Sequence, residues 1–141
     1  AIGYYLGSGR RANLGVGAVL GAVYNEEEDI FEGICKVGTG ITDSMLKQIK
    51  EDLGRDAVEE IPVDMRIPKS LLPDVLVAPK IVFTVEADEV TKRMEKGEEK
   101  IGGGLSLRFP RLVEWNRDKS ATEATSVKEL EEMYKLQKSN K

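Results

Sequence analysis

Apolar and polar residues alternate with a period of two in several separate stretches of the chain, and in two others the apolar spacing changes to that of a helix. Ile81, Phe83, Val85 and Ala87 fall on one face and Val82, Thr84, Glu86 and Asp88 on the other, so Ile81–Asp88 reads as a half-buried strand. Leu105, Leu107 and Phe109 alternate with Ser106 and Arg108, which predicts a further strand over Leu105–Trp115. Earlier in the chain Ile2–Leu6 is a short apolar strand, and Val16–Tyr24 and Ile30–Val37 flank Asn25–Asp29 as a hairpin. Gly17, Ala18, Gly21 and Ala22 are small enough to let the first hairpin strand curve tightly, as in a small barrel. Cys35 sits mid-strand, where a small apolar thiol fills core.

Leu46, Ile49 and Leu53 recur at helical spacing behind Thr42 as N-cap and Asp43 in the first turn, which predicts a helix from about 43 to 53. Ser126 and Glu129 make a capping box, and Leu130, Met133 and Tyr134 form one apolar stripe, so an amphipathic helix is predicted over 127–138 with its stripe docked on the same domain. Residues 56–79 contain Pro62, Pro68, Pro73 and Pro79, which forbid a long helix and predict an irregular crossover. Thr91–Gly104 is charged, ends in three glycines and reads as a mobile connection.

Five short strands, a helix after the third and no internal repeat predict a mainly β chain, a five-stranded OB-fold Greek-key barrel with a helix after strand 3 and a C-terminal amphipathic helix. On this reading residues 1–141 form a single OB-fold domain, with 126–141 as its terminal helix and tail. Its core is expected from Val16, Leu20, Ile34, Ile81, Phe83, Val85, Leu105 and Leu107. A fold alone does not license a function.

Composition narrows the chemistry. At 141 residues the chain can bury a core without disulfides or metal. The single cysteine rules out an internal disulfide framework and fits a reducing compartment. With no histidine, neither a histidine base nor a Cys/His zinc site is available. No apolar run approaches the roughly 20 residues that span a bilayer, so no membrane partner is expected, and an intracellular location follows, cytoplasmic in a prokaryote or archaeon. The start at Ala1, inside a strand and without an initiator methionine, reads as a fragment of a longer protein.

The net charge of −4 argues weakly against nucleic acid, but the charges are segregated. Residues 1–24 carry Arg10 and Arg11 and no acid, whereas Glu26–Asp29 is an unbroken acidic run. The glycines of Gly7–Asn13 either free the backbone for close approach to a partner or simply form a turn that places two arginines in water. Arg108, Arg111, Arg117 and Lys119 gather four cations within twelve residues, against Glu114 and Asp118 alone. Such a cationic strand end either offers guanidinium forks to phosphates or is an ordinary solvated face.

Arg108-Phe-Pro-Arg111 followed by Asp118-Lys119, with Ser126 then opening a helix, resembles the motif VI region of ATP-dependent DNA ligases of the archaeal and eukaryotic type. Ile2–Arg11, Ile34–Asp43, Ala78-Pro79-Lys80 and Gly104–Arg111 resemble the same family in the same order, so the likeness covers nearly the whole chain. The resemblance implies an enzyme that seals nicks in duplex DNA in three steps: a lysine attacks the α-phosphate of ATP, AMP passes to the 5′-phosphate, and the 3′-hydroxyl displaces AMP. The nucleophile of that family lies in a Lys-x-Asp-Gly motif on a separate adenylation domain. No such motif occurs here; Lys50-Glu-Asp-Leu53 lacks the glycine.

The chain thus resembles only the OB domain that follows the adenylation domain, and no catalytic residue or metal ligand is expected in it. By the resemblance, motif VI residues Arg111, Arg117, Asp118 and Lys119 orient the ATP polyphosphate, and Arg10, Arg11 and Lys80 contact nicked duplex DNA. ATP and Mg2+ are then bound mainly by the absent adenylation domain, and the protein is a monomer whose partners are that domain and the DNA. The end of motif VI departs from the family, whose Arg-x-Asp-Lys is here Asn116-Arg117-Asp118-Lys119. Arg117 is one position off, on the opposite face of a regular strand. Either the strand has ended and Arg117 reaches round, or Lys119 and Arg111 carry more of the load. Two other readings stay open: a free-standing OB-fold nucleic-acid binder, opposed by few exposed aromatics, and a module that docks a partner through its last helix.

Overall fold

The computed structural model describes residues 1–93 and 101–139, without the side chains of Arg10, Leu14 and Ser139. Of the expected mobile connection over Thr91–Gly104, residues 94–100 lie outside the described residues, while Thr91 and Lys92 end a strand and Ile101–Gly104 form a 3-10 turn.

Strands β1 (Gly3–Tyr5), β2 (Ala18–Asn25) and β3 (Ile30–Val37) form an antiparallel meander, with β2 and β3 joined by the expected hairpin. The small residues of β2 act as their size predicts. A Cβ on Gly21 would lie 3.1 Å from the Phe83 ring and 3.2 Å from Cys35 Sγ, tighter than ordinary contact, so a larger residue would push these neighbours apart by a few tenths of an ångström. Opposite it the register slips, with Gly21 facing Cys35 and Ala22 facing Gly33, leaving Ile34 as the extra residue of a bulge that curls the sheet.

Helix α1 (Asp43–Gly54) follows β3 as predicted, its Met45 N–H donating to the Thr42 hydroxyl at 3.2 Å while Leu46, Ile49 and Leu53 are fully buried. The proline-rich crossover is less irregular than expected. It carries β4 (Ala57–Val58), β5 (Met65–Arg66) and β6 (Val75–Val77), which extend the meander to a six-stranded sheet of order β4-β6-β1-β2-β3-β5. These strands are two or three residues long because the prolines between them interrupt any longer ladder.

Strand β7 (Val82–Glu86) matches the alternating stretch, but the strand expected over Leu105–Trp115 is two. Strand β9 (Leu105–Arg108) pairs with β8 (Glu89–Lys92), and β10 (Arg111–Arg117) pairs with β7. The break has a local cause. Phe109 takes φ +51 and Pro110 has no N–H to donate, so the ladder stops and turns.

Helix α2 (Val127–Ser139) begins with the predicted capping box, Glu129 N–H donating to Ser126 Oγ at 3.1 Å and Ser126 N–H to Glu129 Oε1 at 3.2 Å. It docks on the domain through buried Leu130 and through Gln137, whose amide bonds both backbone groups of Val90 at 2.8 Å. Among the described residues the fold is thus mainly β, a curled sheet with two helices, and no helix is long and apolar enough to cross a membrane. Of the expected core, Val16, Leu20, Ile34 and Leu105 are buried. Ile81, Phe83, Val85 and Leu107 are only half-buried, because they face a cavity of about 480 Å³.

Candidate polyphosphate and nucleic-acid interface

The cations of β10 are aimed by two irregularities that periodicity does not reveal. Against β7, Leu112 faces Val85, Glu114 faces Thr84 and Arg117 faces Val82, so β10 gains a residue on its partner in each interval. The second bulge contains Asn116 at φ +55, a left-handed conformation that asparagine tolerates better than most residues. The second bulge sets Arg117 opposite Val82, on the same face as Glu114 and Thr84, where regular pairing after Glu114 would put it on the other face. Strand β10 runs as far as Arg117, so the strand has not ended before it. Arg117 donates to Thr84 Oγ1 at 2.5 Å and its Nε is 3.4 Å from Glu114.

The base of this strand is held firmly. Trp115 Nε1 donates at 2.9 Å to the buried carboxylate of Asp52 on α1, which also accepts from Gln48 at 2.8 Å, and the indole packs 5.7 Å from the Phe83 ring. At its other end Leu112 N–H donates to Thr39 just beyond β3 at 2.8 Å. Gly40 fits there at φ +83 because a Cβ would come within 2.6 Å of the Leu112 carbonyl.

Arg117 and Lys119 border the 480 Å³ cavity together with Asp88. Arg111 reaches the same rim indirectly, its guanidinium 3.1 Å from Asp88 and 3.6 Å from Glu86. Lys119 and Asp118 are exposed. The N–H and hydroxyl of Ser120, and after them the Lys119 ammonium, hold Glu123 below the usual carboxylate range. Deeper in the cavity, burial pushes the Cys35 thiol up to about 12, so it lines the wall as an inert neutral group. Arg111 and Arg117 thus stand at the two ends of β10, with Asp118 and Lys119 directly after Arg117. Those that are paired hold partly exposed carboxylates, which phosphates can replace because such pairs contribute only about 0–1 kcal/mol.

The residues expected to touch DNA divide. Lys80 is exposed, 3.5 Å from Asp56. Arg10 lies in the six-residue 3-10 turn Gly9–Leu14, and its side chain is outside the described residues. Arg11 does not present its guanidinium to solvent as expected. It donates to the carbonyls of Gly17 at 2.8 Å, Gly38 at 2.8 Å and Ile41 at 3.1 Å, fastening the loop to the ends of β2 and β3. Charge counting in sequence sees two adjacent arginines and has no means of separating them.

Phe109 was not singled out by sequence, and the structure makes it conspicuous. Its ring is 65% exposed at the corner between β9 and β10, in a conformation disfavoured for bulky side chains. The Arg108 guanidinium lies 5.2 Å from its centroid, and Arg111 donates to its carbonyl at 3.1 Å. The signal was present in sequence as an aromatic between an arginine and a proline in a strand that alternation would have carried straight through.

The profile described as the ATP-dependent DNA ligase C-terminal region matches residues 12–119. A probable DNA ligase of Dictyoglomus thermophilum is 42% identical over 99% of this chain and 24% of its own length. A DNA ligase of Hyperthermus butylicus is 39% identical over 96% of this chain and 22% of its own, and DNA ligase 1 of Methanosarcina acetivorans 38% over 94% and 23%. In structure, the ligase domain of M. tuberculosis LigD superposes with a TM-score of 0.65 at 25% identity, covering 88% of this chain and 36% of that one. The chain spans about a quarter of the length of the curated relatives it matches. On profile, sequence and fold together, it belongs to the family of C-terminal regions of ATP-dependent DNA ligases.

Proposed function

We propose that these residues serve a nick-sealing, ATP-dependent DNA ligase as the OB-fold domain following its adenylation domain, with two alternating tasks. In the first, Arg111, Arg117, Asp118 and Lys119 meet the polyphosphate of ATP while the adenylation domain's lysine attacks the α-phosphate. In the second, the domain closes on the minor groove of nicked duplex DNA. The observation that carries this reading is the Asn116 bulge, which brings Arg117 to the cavity rim shared with Lys119 and Asp88 despite the shifted motif.

An OB barrel is supported by the strand circuit. β1, β2, β3, β10 and β7 follow one another as neighbours, with β10 meeting the end of β3 in parallel at Thr39 and Arg111, and the Ala1 nitrogen donating to Ile81 at 2.7 Å beside β7. For the DNA task, Phe109 between Arg108 and Arg111 is an apolar wedge between two phosphate-seeking cations. Arg10 and Lys80 add phosphate contacts, and Arg11 contributes by holding the loop that carries Arg10. Among the described residues no three acidic or cysteine side chains stand close enough to share a metal ion. Mg2+ is assigned to the adenylation domain.

Pyrophosphate must leave in line, so cations on the β- and γ-phosphates orient the leaving group and neutralise its growing charge. After adenylation those phosphates are gone and the same residues have nothing left to stabilise. Lys119→Ala in the full-length parent is expected to slow self-adenylation by about 10²-fold, the scale of one preorganised electrostatic contact, and to spare sealing of DNA that already carries the 5′-adenylate. Single-turnover rates for the two steps measure this. Equal loss in both would assign Lys119 to folding or DNA closure and overturn the polyphosphate role.

A further inference from the structure

A second cavity, of about 460 Å³, opens between the β2–β3 hairpin and the start of α2, and it shares no lining residue with the one bordered by Arg117 and Lys119. Its walls carry four carboxylates, Glu26, Glu27, Glu32 and Glu131, against one ammonium, Lys128. Lys128 lies 3.4 Å from Glu27 with both side chains exposed, an arrangement water screens.

Glu32 is a different case, since its side chain is only 1% exposed. Its Oε1 accepts from Asn25 Nδ2 at 3.0 Å, but its Oε2 is buried with no hydrogen-bond donor. The nearest described cation is Arg66, whose Nη1 is 4.0 Å away and already bonded to Glu28 at 2.6 Å. A buried carboxylate oxygen left without a donor is costly, and such groups call for an explanation. Helix α2 does not supply the missing donor: the Ser126 and Glu129 N–H groups are engaged in its capping box, and no other N–H of its first turn bonds Oε2. The roughly half-unit positive charge of a helix N-terminus is also small beside four carboxylates.

We propose that this cavity receives a guanidinium group, the side chain of an arginine presented by a protein segment outside these 141 residues. The acidic groups are too dispersed to share a metal ion, and the space far exceeds what an ion fills. A guanidinium offers five donors in a planar fork, enough to bond carboxylates at the rim and, once the Glu32 side chain turns toward the cavity, Oε2 at the same time. Val127 gives its aliphatic stem an apolar wall. The matched relatives are about four times as long as this chain, so there is ample protein to supply the arginine. The inference does not depend on the polyphosphate role proposed above.

The test is an amide chemical-shift titration of the 141-residue chain with N-acetyl-arginine amide, N-acetyl-lysine amide and Mg2+ in parallel. The expected result is saturable shifts centred on Asn25, Glu32 and Val127 with the arginine probe, at a Kd on the order of millimolar as befits a single side chain. Binding should weaken at least several-fold in Glu131→Gln, an exposed change that leaves the fold alone, and vanish in Glu32→Gln. No saturable shift, an equal response to the lysine probe, displacement of the arginine probe by Mg2+, or wild-type binding by both variants would each overturn the proposal.

Discussion

Arg11 and the arginines of β10 carry the same group and are used in opposite ways. Arg11 spends its guanidinium on three backbone carbonyls, at Gly17, Gly38 and Ile41, which belong to segments that meet only in the folded chain. Arg111 and Arg117 lie about one-third exposed and face the carboxylates of Glu86, Asp88 and Glu114 at 3.1 to 3.6 Å. A carbonyl of the fold cannot withdraw without unfolding something, whereas an exposed carboxylate swings away for less than about 1 kcal/mol. The first arrangement is permanent and the second can be exchanged for a ligand. What makes an arginine available for function is the mobility of its partner more than its own exposure.

The largest effect expected from this contrast is on stability. Arg11→Ala strands three acceptors and removes charge-assisted bonds of about 1.5–3 kcal/mol each, so a loss of about 3–5 kcal/mol is expected after partial rehydration. Arg11→Lys should recover only part of it, since a single ammonium nitrogen does not span the carbonyls that the guanidinium reaches from two separate nitrogens. Urea unfolding of the chain measures both, and an unchanged midpoint for Arg11→Ala would dissolve the distinction. DNA binding by any Arg11 variant therefore has meaning only once the variant is known to be folded.

Much of this architecture was legible beforehand because it rests on local rules. Thr42, the Leu46-Ile49-Leu53 spacing and the Ser126–Glu129 capping box fix both helices within a residue or two, and the 30–37 strand falls where its apolar run predicts. The misses share a cause. Where Phe109 and Asn116 take positive φ, the backbone departs from the period on which alternation depends, so one strand becomes two and Arg117 comes to share the face of Glu114. The burial of Arg11 likewise rests on carbonyls 6 to 30 residues away, which no local pattern contains. The resemblance singled out Arg111, Arg117, Asp118 and Lys119 as a set, but the face on which Arg117 lies depends on the bulge.

A smaller perturbation addresses that bulge. Valine is strongly disfavoured at positive φ, so Asn116→Val should cost about 1–2 kcal/mol or drive the strand back to regular pairing. The return to regular pairing turns Arg117 from the cavity rim, and self-adenylation by the full-length parent should then slow, whereas Asn116→Gly, which accepts the same φ, should adenylate like wild type. If the valine and glycine variants react alike in a single-turnover adenylation assay, the bulge does not aim Arg117.

The smallest effect has the opposite sign. Phe109 combines an unfavourable φ of +51 with a ring that is 65% exposed, so the fold gains little from the side chain and bears the strain. Asparagine accepts the left-handed region more readily, and Phe109→Asn should relieve about 1 kcal/mol while giving up about 0.5 kcal/mol of cation–π contact with Arg108. The Arg111 bond to the residue 109 carbonyl is to backbone and survives the change. A net stabilisation of about 0.5 kcal/mol is expected in urea, together with weaker binding of nicked duplex by the full-length parent, because a short polar side chain cannot wedge between base pairs. A gain in stability at a functional cost is what a residue kept for a ligand should show, and Arg11 should show the reverse. If Phe109→Asn instead loses stability and binds nicked DNA as before, Phe109 belongs with Arg11 as a part of the fold, and the division between the two regions fails at this corner.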